Sequence, residues 1–290
     1  MPTFPAARRL KLPDWTTRDG RRERGVALDV YEQGTGPAVV LCHGFPELAY
    51  SWRHQVDALA RAGFRAIAPD QRGYGGSDAP AAVDAYDLEH LVADMVGMLD
   101  ALGFEQAVFA GHDWGGFVAW AMPIAYPERT AGVIGVNTPY IPFPTTELLR
   151  AAFSDDERLY ILWFQKPGVA EAVLDRDPRL VFEKLMRRGT RREGSLFRGG
   201  PQADANPFRR LAELETVGPQ LLDAEELDTY ARAFGKAGFR GGINWYRNID
   251  RNKLHFPEIG SKRLELPCLM VTAEWDAALP PETAAGMPSL

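Results

Sequence analysis

The segment 111–116, Gly-His-Asp-Trp-Gly-Gly, constrains the fold of this chain more than any other. It follows a short apolar run, 107–110, that is typical of a buried strand, and it precedes a helix-like segment, 117–126. A turn this tight forces its central residue into a strained backbone conformation, and glycines around it leave room for neighbouring chain. The sequence therefore predicts a nucleophile elbow, G-x-Nu-x-G, that holds Asp113 clear of the sheet.

An aspartate at the elbow determines which chemistry the turn can support. A carboxylate, with an ordinary pKa of about 4, is ionised at neutral pH and needs no base to act as a nucleophile. It suits backside displacement at an electrophilic sp3 carbon, which produces an ester of Asp113. Hydrolysis of that ester needs a general base and donors for the developing oxyanion. The simpler interpretation is an aspartate in a tight turn or at a helix N-cap.

Strand-like and helix-like patterns alternate through the first half of the chain. The runs 37–42, 65–70 and 132–137 are typical of buried strands, and 51–62 and 88–102 are typical of helices. This alternation predicts an α/β fold with a mostly parallel sheet and helices on both faces.

Three motifs occur in a fixed order: His-Gly-Phe-Pro-Glu at 43–47, Arg-Gly-Tyr-Gly at 72–75 and the elbow at 111–116. Together they resemble the epoxide hydrolases of the α/β-hydrolase fold, and more closely the soluble, mammalian-type branch. The resemblance runs from about Val26 to the last residues. It implies that an epoxide is opened to a vicinal diol through the Asp113 ester. The backbone N–H groups of Phe45 and Trp114 would form the oxyanion hole.

The regular alternation stops after 132–137, where prolines stiffen the segment 138–144. From about 147 to 252 the pattern is helical and irregular, with a loop rich in glycine and arginine at 189–201. We expect a first part of the core at 1–138, a helical cap at 139–255 and a second part of the core at 256–290. Such a cap would cover the sheet edge where open α/β folds bind ligands.

The resemblance also implies a role for two tyrosines of this cap. The segments 160–171 and 239–248 resemble the family's two cap tyrosine segments, so the paired role falls to Tyr160 and Tyr246. A phenol, with an ordinary pKa near 10, can bind and protonate the alkoxide left by epoxide opening. Aromatic packing is the other interpretation of such residues. We assign the remaining cap aromatics to the lining or the core: Trp163, Phe164, Phe234, Phe239 and Trp245.

The resemblance departs from the family after the strand-like run 266–272. Asp276 would orient the catalytic histidine, which is expected some tens of residues later, but no histidine follows Asp276. The chain's histidines are His43, His54, His90, His112 and His255. We expect the first and fourth to be structural, the second and third to lie on surface helices, and His255 to be a poor base. The family's final strand and helix are also missing, and 280–290 stops inside an expected helix, so we expect a fragment of a longer protein.

Two competing interpretations remain open. A haloalkane dehalogenase shares the aspartate nucleophile and the ester chemistry but needs side-chain donors for a halide. Trp114 could be one, whereas Phe45 has no donor. The second is a ligand-binding or covalently trapping protein of the same fold, which the missing base would allow.

The composition limits the classes of partner. The 290 residues can form one core with an inserted subdomain, and a net charge of −6 does not suggest a nucleic-acid partner. We expect the basic run 8–24 to be a solvated leader, and Cys42 and Cys268 to be inert thiols in buried strands. No stretch predicts a membrane span, and no spacing predicts a metal site. We therefore expect a cytoplasmic enzyme without a cofactor that takes a small apolar epoxide and water, as a monomer or a homodimer.

Overall fold

A central sheet organises the structure, a computed structural model that describes residues 4–153, 156–188, 203–216, 218–276 and 278–287. Within these ranges the strands are β1 (Arg8–Lys11), β2 (Trp15–Thr16), β3 (Arg22–Glu23), β4 (Ala27–Gln33), β5 (Ala38–Cys42), β6 (Arg65–Pro69), β7 (Ala107–His112), β8 (Thr130–Val136) and β9 (Cys268–Val271). The main sheet has the order β1-β4-β6-β5-β7-β8-β9, and β2 and β3 form a separate hairpin.

The five strands from β6 to β9 in that order are parallel, and β4 and β1 extend the sheet antiparallel at the other edge. The predicted fold class, a mostly parallel sheet with helices, is thus confirmed. Since the carboxyl ends of neighbouring parallel strands meet at one edge, residues that follow β5, β7, β8 and β9 come together there.

The described helices are α1 (Arg53–Arg61), α2 (Leu88–Leu102), α3 (Trp114–Ala125), α4 (Thr146–Ala152), α5 (Tyr160–Trp163), α6 (Val169–Leu174), α7 (Pro178–Leu185), α8 (Ala224–Ala237), α9 (Arg240–Arg247) and α10 (Ile249–His255). Short 3-10 helices lie at Ala49–Trp52, Asp84–Tyr86, Pro127–Arg129, Leu211–Glu213 and Pro281–Ala284. Helices α4 to α10 all fall between β8 and β9, in the segment 137–267, which we call the helical insertion. The predicted loop at 189–201 lies outside the described residues.

The side chains of β5 show why both faces of the sheet are covered. Val39 and Leu41 join a cluster with Val56 of α1, while Val40 and Cys42 join the larger core that contains α2 and α3. Every residue of β5 is buried, as expected for a parallel strand between two helical layers.

Helix α2 has the predicted limits because both of its ends are capped. The Asp87 side chain accepts a hydrogen bond from the backbone of His90, and Gly103 ends the helix in the left-handed conformation. Helix α3 begins earlier than its apolar pattern predicts, at Trp114, because the elbow itself provides the first turn.

The N-terminal basic run is not a solvated leader, and that expectation is wrong. Strand β1 pairs with β4, so that Leu10 lies opposite Leu28 and is buried. The charge of Arg9 is compensated by Asp29 and Asp78, on β4 and in the loop after β6. One inward leucine, together with the ion pairs of Arg8 and Arg9, explains how this basic strand pairs in the sheet.

His90 does not lie on the surface, as its helix pattern predicts. The side chain is buried because Trp15 of the β2–β3 hairpin packs on its ring, with 5.0 Å between the ring centroids. The ring Nδ1 lies 2.6 Å from the Asp87 carboxylate. His54, in contrast, is exposed as expected.

Strand β9 is less buried than expected. Cys268 is exposed, and Leu269, Val271 and Trp275 are 54%, 44% and 50% exposed. The physical reason is that β9 is an edge strand, whose pairing among the described residues is with β8 alone. The helix expected from residue 280 is a 3-10 turn, Pro281–Ala284, and 288–290 lie outside the described residues.

The described residues include no helix that is both long and apolar enough to cross a bilayer. In the same ranges, no group of three or more His, Cys, Asp or Glu side chains is placed to hold a metal ion.

We expect a polypeptide of these 290 residues to self-associate through β9, because an apolar edge strand offers unpaired N–H and C=O groups to a second strand. Leu269→Lys should lower the associated fraction in sedimentation velocity over a range of concentrations. The matched control is Leu254→Lys, which alters a leucine on α10 that is 77% exposed. A monomer at every concentration, or equal effects of the two lysines, would contradict this expectation.

Candidate active site

Asp113 occupies a strained elbow between β7 and α3, with φ of +52° and ψ of −124°. The surrounding glycines are required by close approach. A Cβ on Gly111 would overlap the Gly115 backbone, and a Cβ on Gly115 would overlap the carbonyl of Cys42. The Thr138 hydroxyl donates to the Asp113 carbonyl oxygen at 2.8 Å and fixes the turn from the β8 side. The sequence and the geometry therefore agree on an elbow at Asp113.

Two backbone N–H groups point at the Asp113 carboxylate. The amide of Phe45 donates to Oδ1 at 2.8 Å, and the amide of Trp114 also hydrogen-bonds the carboxylate. Gly44 permits this approach, since a Cβ there would overlap the Asp113 side chain. The backbone N–H groups of Phe45 and Trp114 thus lie together at the Asp113 carboxylate.

The Asp113 carboxylate is only moderately acidic. Removal from water raises its pKa to about 6, against the opposing effects of the His112 cation and the two backbone amides. Most molecules therefore hold an ionised but poorly solvated Asp113 at neutral pH.

Tyr160 and Tyr246 come together from α5 and α9. Their ring centroids lie 5.6 Å apart, with the rings in an edge-to-face arrangement. Burial, followed by the negative charge of Asp113, raises the pKa of each phenol above its ordinary value. Both phenols therefore remain protonated at neutral pH and can donate toward a negative charge that develops near Asp113.

Aromatic rings surround this group. The ring of Phe45 contacts Phe164, Phe208, Phe239 and Tyr246, with centroid distances of 5.4, 6.0, 6.3 and 5.5 Å. On the other side the Trp114 ring lies 5.1 Å from the Tyr246 ring, and its side chain hydrogen-bonds Tyr246.

Sequence reasoning missed Phe208, which lies 5.6 Å from the ring of Tyr160. Phe208 falls in an irregular segment that offers no periodic signal. The five aromatics assigned to lining or core are all buried, and two of them, Phe164 and Phe239, contact Phe45.

An ion pair between Glu47 and His112 adjoins Asp113 and was also missed. Oε2 of Glu47 accepts the N–H of Gly44 at 2.8 Å and lies 3.1 Å from Nδ1 of His112. Burial alone would raise the pKa of Glu47, but His112 and Gly44 lower it to about 2. Burial alone would lower the pKa of His112, but Glu47, then Asp113 and Asp276, raise it to about 9. His112 is therefore a cation at neutral pH.

Asp276 belongs to the same site, since its charge acts on both His112 and Tyr160. Its Oδ2 accepts from Nδ2 of Asn137 at 2.6 Å, and its Oδ1 accepts the backbone N–H groups of Ala278 and Leu279, each at 2.8 Å. The carboxylates that follow β7 and β9 thus meet at one edge of the sheet, with the Asn137 amide after β8 between them.

No histidine of the described residues is placed as a free base for this site. Burial lowers the pKa of His43 to about 4, and its Nε2 accepts the N–H of Gln71 at 3.0 Å, so it is a neutral structural residue. His112 is protonated beside Glu47. His255 lies near Asp87 and Glu89, where Arg18 donates to its carbonyl oxygen.

Comparison with known proteins agrees with this arrangement. A family model described as alpha/beta hydrolase fold matches residues 37–193. Epoxide hydrolase A of Mycobacterium tuberculosis is 42% identical over 88% of this chain and 81% of that protein. Bifunctional epoxide hydrolase 2 of Sus scrofa is 42% identical over 91% of this chain, which spans only 47% of that protein.

A solved structure gives the same result. The crystal structure of Epoxide Hydrolase A from Mycobacterium thermoresistibile superposes with a TM-score of 0.77 at 42% identity, over 92% of this chain and 81% of that chain. The sheet, the elbow and the family match define a protein of the α/β-hydrolase fold. Within that fold, the chain belongs to the epoxide hydrolase family.

We expect the His112 imidazole to titrate with a pKa of about 9, and the Glu47→Gln substitution to lower that value because the neighbouring anion is lost. Since the pKa of His112 in the folded protein exceeds its unfolded value of 6.5 and that of Glu47 lies below its unfolded value of 4.5, the pair's contribution to stability is full between about pH 4.5 and 6.5. It is lost as the pH rises through about 9 or falls through about 2. Ring NMR of labelled histidines measures the titration. Glu171→Gln, which removes the ion pair between Glu171 and Arg247, is the control and should leave the pKa of His112 unchanged. An unshifted His112 in the parent protein would show that the pair does not form.

Proposed function

We propose that this protein is a hydrolase that acts on epoxides through an ester of Asp113. The carboxylate attacks one carbon of the epoxide, the bond from that carbon to the ring oxygen breaks, and Tyr160 and Tyr246 provide the proton for the oxygen. The observation that carries the proposal is the pair of protonated phenols in ring contact near the elbow carboxylate, whose charge acts on both. A nucleophile with an acid pair next to it suits opening of a strained ether, whose leaving group is a basic alkoxide.

The carboxylate oxygens would divide the work. Oδ1 is held by the Phe45 amide and would become the carbonyl oxygen of the ester, which leaves Oδ2 to attack. The phenol that gives up its proton is restored by water, since its raised pKa favours the protonated form. The same amides of Phe45 and Trp114 would then stabilise the oxyanion when water attacks the ester carbonyl.

The second step, ester hydrolysis to a diol, needs a base oriented by Asp276. The described histidines do not supply it, so we propose that the residues at hand complete the first step alone. An ester that forms and is not hydrolysed corresponds to the covalently trapping interpretation. The dehalogenase interpretation is disfavoured, because the side chain of Trp114 is engaged with Tyr246 and Phe45 offers no side-chain donor.

The proposal includes the division of the chain made from the sequence. Residues 139–255 act as a cap that brings the two tyrosines to a core formed by 1–138 and 256–290, and a small apolar epoxide binds among the aromatic rings. Two free cysteines suit a reducing compartment, so a cytoplasmic location is part of the proposal.

A polypeptide of these 290 residues should form one equivalent of ester with styrene oxide and then stop, because attack needs no base whereas hydrolysis does. Intact-mass and peptide mass spectrometry would locate the adduct at Asp113, and Asp113→Ala should form none there. Since only the carboxylate attacks, the rate should fall as the pH is lowered through about 6. Adduct at Asp113 that forms without any pH dependence would contradict the role of the carboxylate. Sustained diol release by a protein verified to end at Leu290 would reveal another base.

Replacement of either tyrosine by phenylalanine should slow ester formation, and the double variant Tyr160→Phe/Tyr246→Phe should slow it most, by about 10²- to 10⁴-fold. Single-turnover alkylation followed by quenching and mass spectrometry measures the rate. Tyr230→Phe is the matched control, since Tyr230 is a buried tyrosine of the same insertion whose hydroxyl bonds Ser51. An unchanged rate in the double variant would make the tyrosines packing residues and would favour a dehalogenase.

A further inference from the structure

A fully buried ion pair lies below the loop that follows β6. Arg72 and Asp94 of α2 are each only 2% exposed, and Nε and Nη2 of the arginine donate to the carboxylate at 2.8 and 2.7 Å. Nη1 of Arg72 donates to the carbonyl oxygen of Ala85 at 2.8 Å. A buried pair of this kind is weak evidence for stability, because desolvation of the two charges offsets much of their attraction. Its geometric effect is to fix the loop at Arg72.

Helix α9 packs directly against this loop. The indole Nε1 of Trp245 donates to the carbonyl oxygen of Arg72 at 3.2 Å. Gly73 and Gly241 touch, since a Cβ on Gly73 would lie 2.8 Å from the Cα of Gly241. The next residue after Trp245 is Tyr246, so the loop is connected to Tyr246 through one hydrogen bond, the Trp245 side chain and one peptide unit.

Tyr160 is held differently. Its backbone N–H donates to the carbonyl oxygen of Ala205 at 3.3 Å, and Leu159 forms a bridge with the same residue. These backbone bonds lie within the helical insertion, whereas the indole N–H of Trp245 reaches the core that carries Asp113. The two phenols therefore have different supports.

From this contrast we propose that Arg72, held by Asp94, is a positioning residue for Tyr246. The pair fixes the carbonyl oxygen to which Trp245 is bonded, and so sets the place of the Tyr246 hydroxyl relative to Asp113. The inference rests on the proposed function, in which Tyr246 donates a proton to the epoxide oxygen. According to this inference, the buried ion pair positions Tyr246 and not Tyr160.

The test compares two electrophiles of similar size on the full chain. Styrene oxide needs a proton when Asp113 attacks it, whereas benzyl bromide releases bromide without one. Trp245→Phe keeps an aromatic ring but removes the N–H donor, and Arg72→Lys keeps the charge but loses the fork. Both variants should form the Asp113 ester with styrene oxide on the order of 10- to 100-fold more slowly, with benzyl bromide rates changed less than about two-fold. Peptide mapping separates the Asp113 ester from alkylated cysteine.

Arg53→Lys is the matched control, because Arg53 also bridges the core to the insertion, through Glu226 on α8, but does not contact α9 through that pair. It should leave both rates unchanged. In a Tyr246→Phe background, Trp245→Phe should add no further loss that is specific to the epoxide. Combination with Tyr160→Phe should instead give additive losses.

Equal losses with both electrophiles would overturn the inference, because they would show general disruption of the site. Unchanged rates in Trp245→Phe would overturn it as well, and this variant decides if Arg72→Lys fails to fold. Two other results would contradict the proposed function itself: an unchanged styrene oxide rate in Tyr246→Phe, or no Asp113 ester in the parent protein. If Tyr246→Phe is slow while Trp245→Phe and Arg72→Lys are normal, the inference alone is wrong.

Discussion

The rest of the site depends on the positive φ of Asp113. A non-glycine residue in such a conformation costs on the order of 1–3 kcal/mol, which persists only where the surroundings leave no alternative. Here the close approach of Gly115 to β5, and the Thr138 hydroxyl on the Asp113 carbonyl, leave none. Because the elbow ends β7 at the centre of the parallel strands, it places the carboxylate against the Phe45 amide after β5 and at the same edge of the sheet as Asp276 after β9. The backbone strain at Asp113 and the position of its carboxylate therefore both result from the elbow.

The negative charge of Asp113 contributes to the protonation states of its neighbours. Asp113, after burial, holds the phenols of Tyr160 and Tyr246 in their protonated form and helps to keep His112 charged. In return, the His112 cation limits the rise in the pKa of Asp113, so the carboxylate stays ionised at neutral pH. The Asp113 carboxylate and the two phenols are therefore in opposite protonation states at one pH, as the proposed ring opening with a basic leaving group requires.

The sequence predicted what is encoded locally and missed what depends on distant contacts. The elbow and helix α2 each rest on a short motif or a periodic run, and the structure has them where expected, with the Phe45 amide at the Asp113 carboxylate. Phe208 and the Glu47–His112 pair join segments far apart in the chain, and no local pattern indicates them. The same reason explains why β1 and the burial of His90 were missed: each depends on pairing with a distant partner, β4 or Trp15.

The residues around Asp276 orient its carboxylate through three hydrogen bonds. An ionised carboxylate offers about four acceptor positions. Among the described residues, two backbone N–H groups bind Oδ1 and the Asn137 amide binds Oδ2, so Asp276 is held in a fixed orientation and keeps the capacity to accept one more donor. An imidazole N–H bound there would face the same edge of the sheet as Asp113, since β9 and β7 flank β8. Under the proposed function, ester hydrolysis would require one imidazole on this oriented acceptor, without rearrangement of the elbow or of the Phe45 and Trp114 amides.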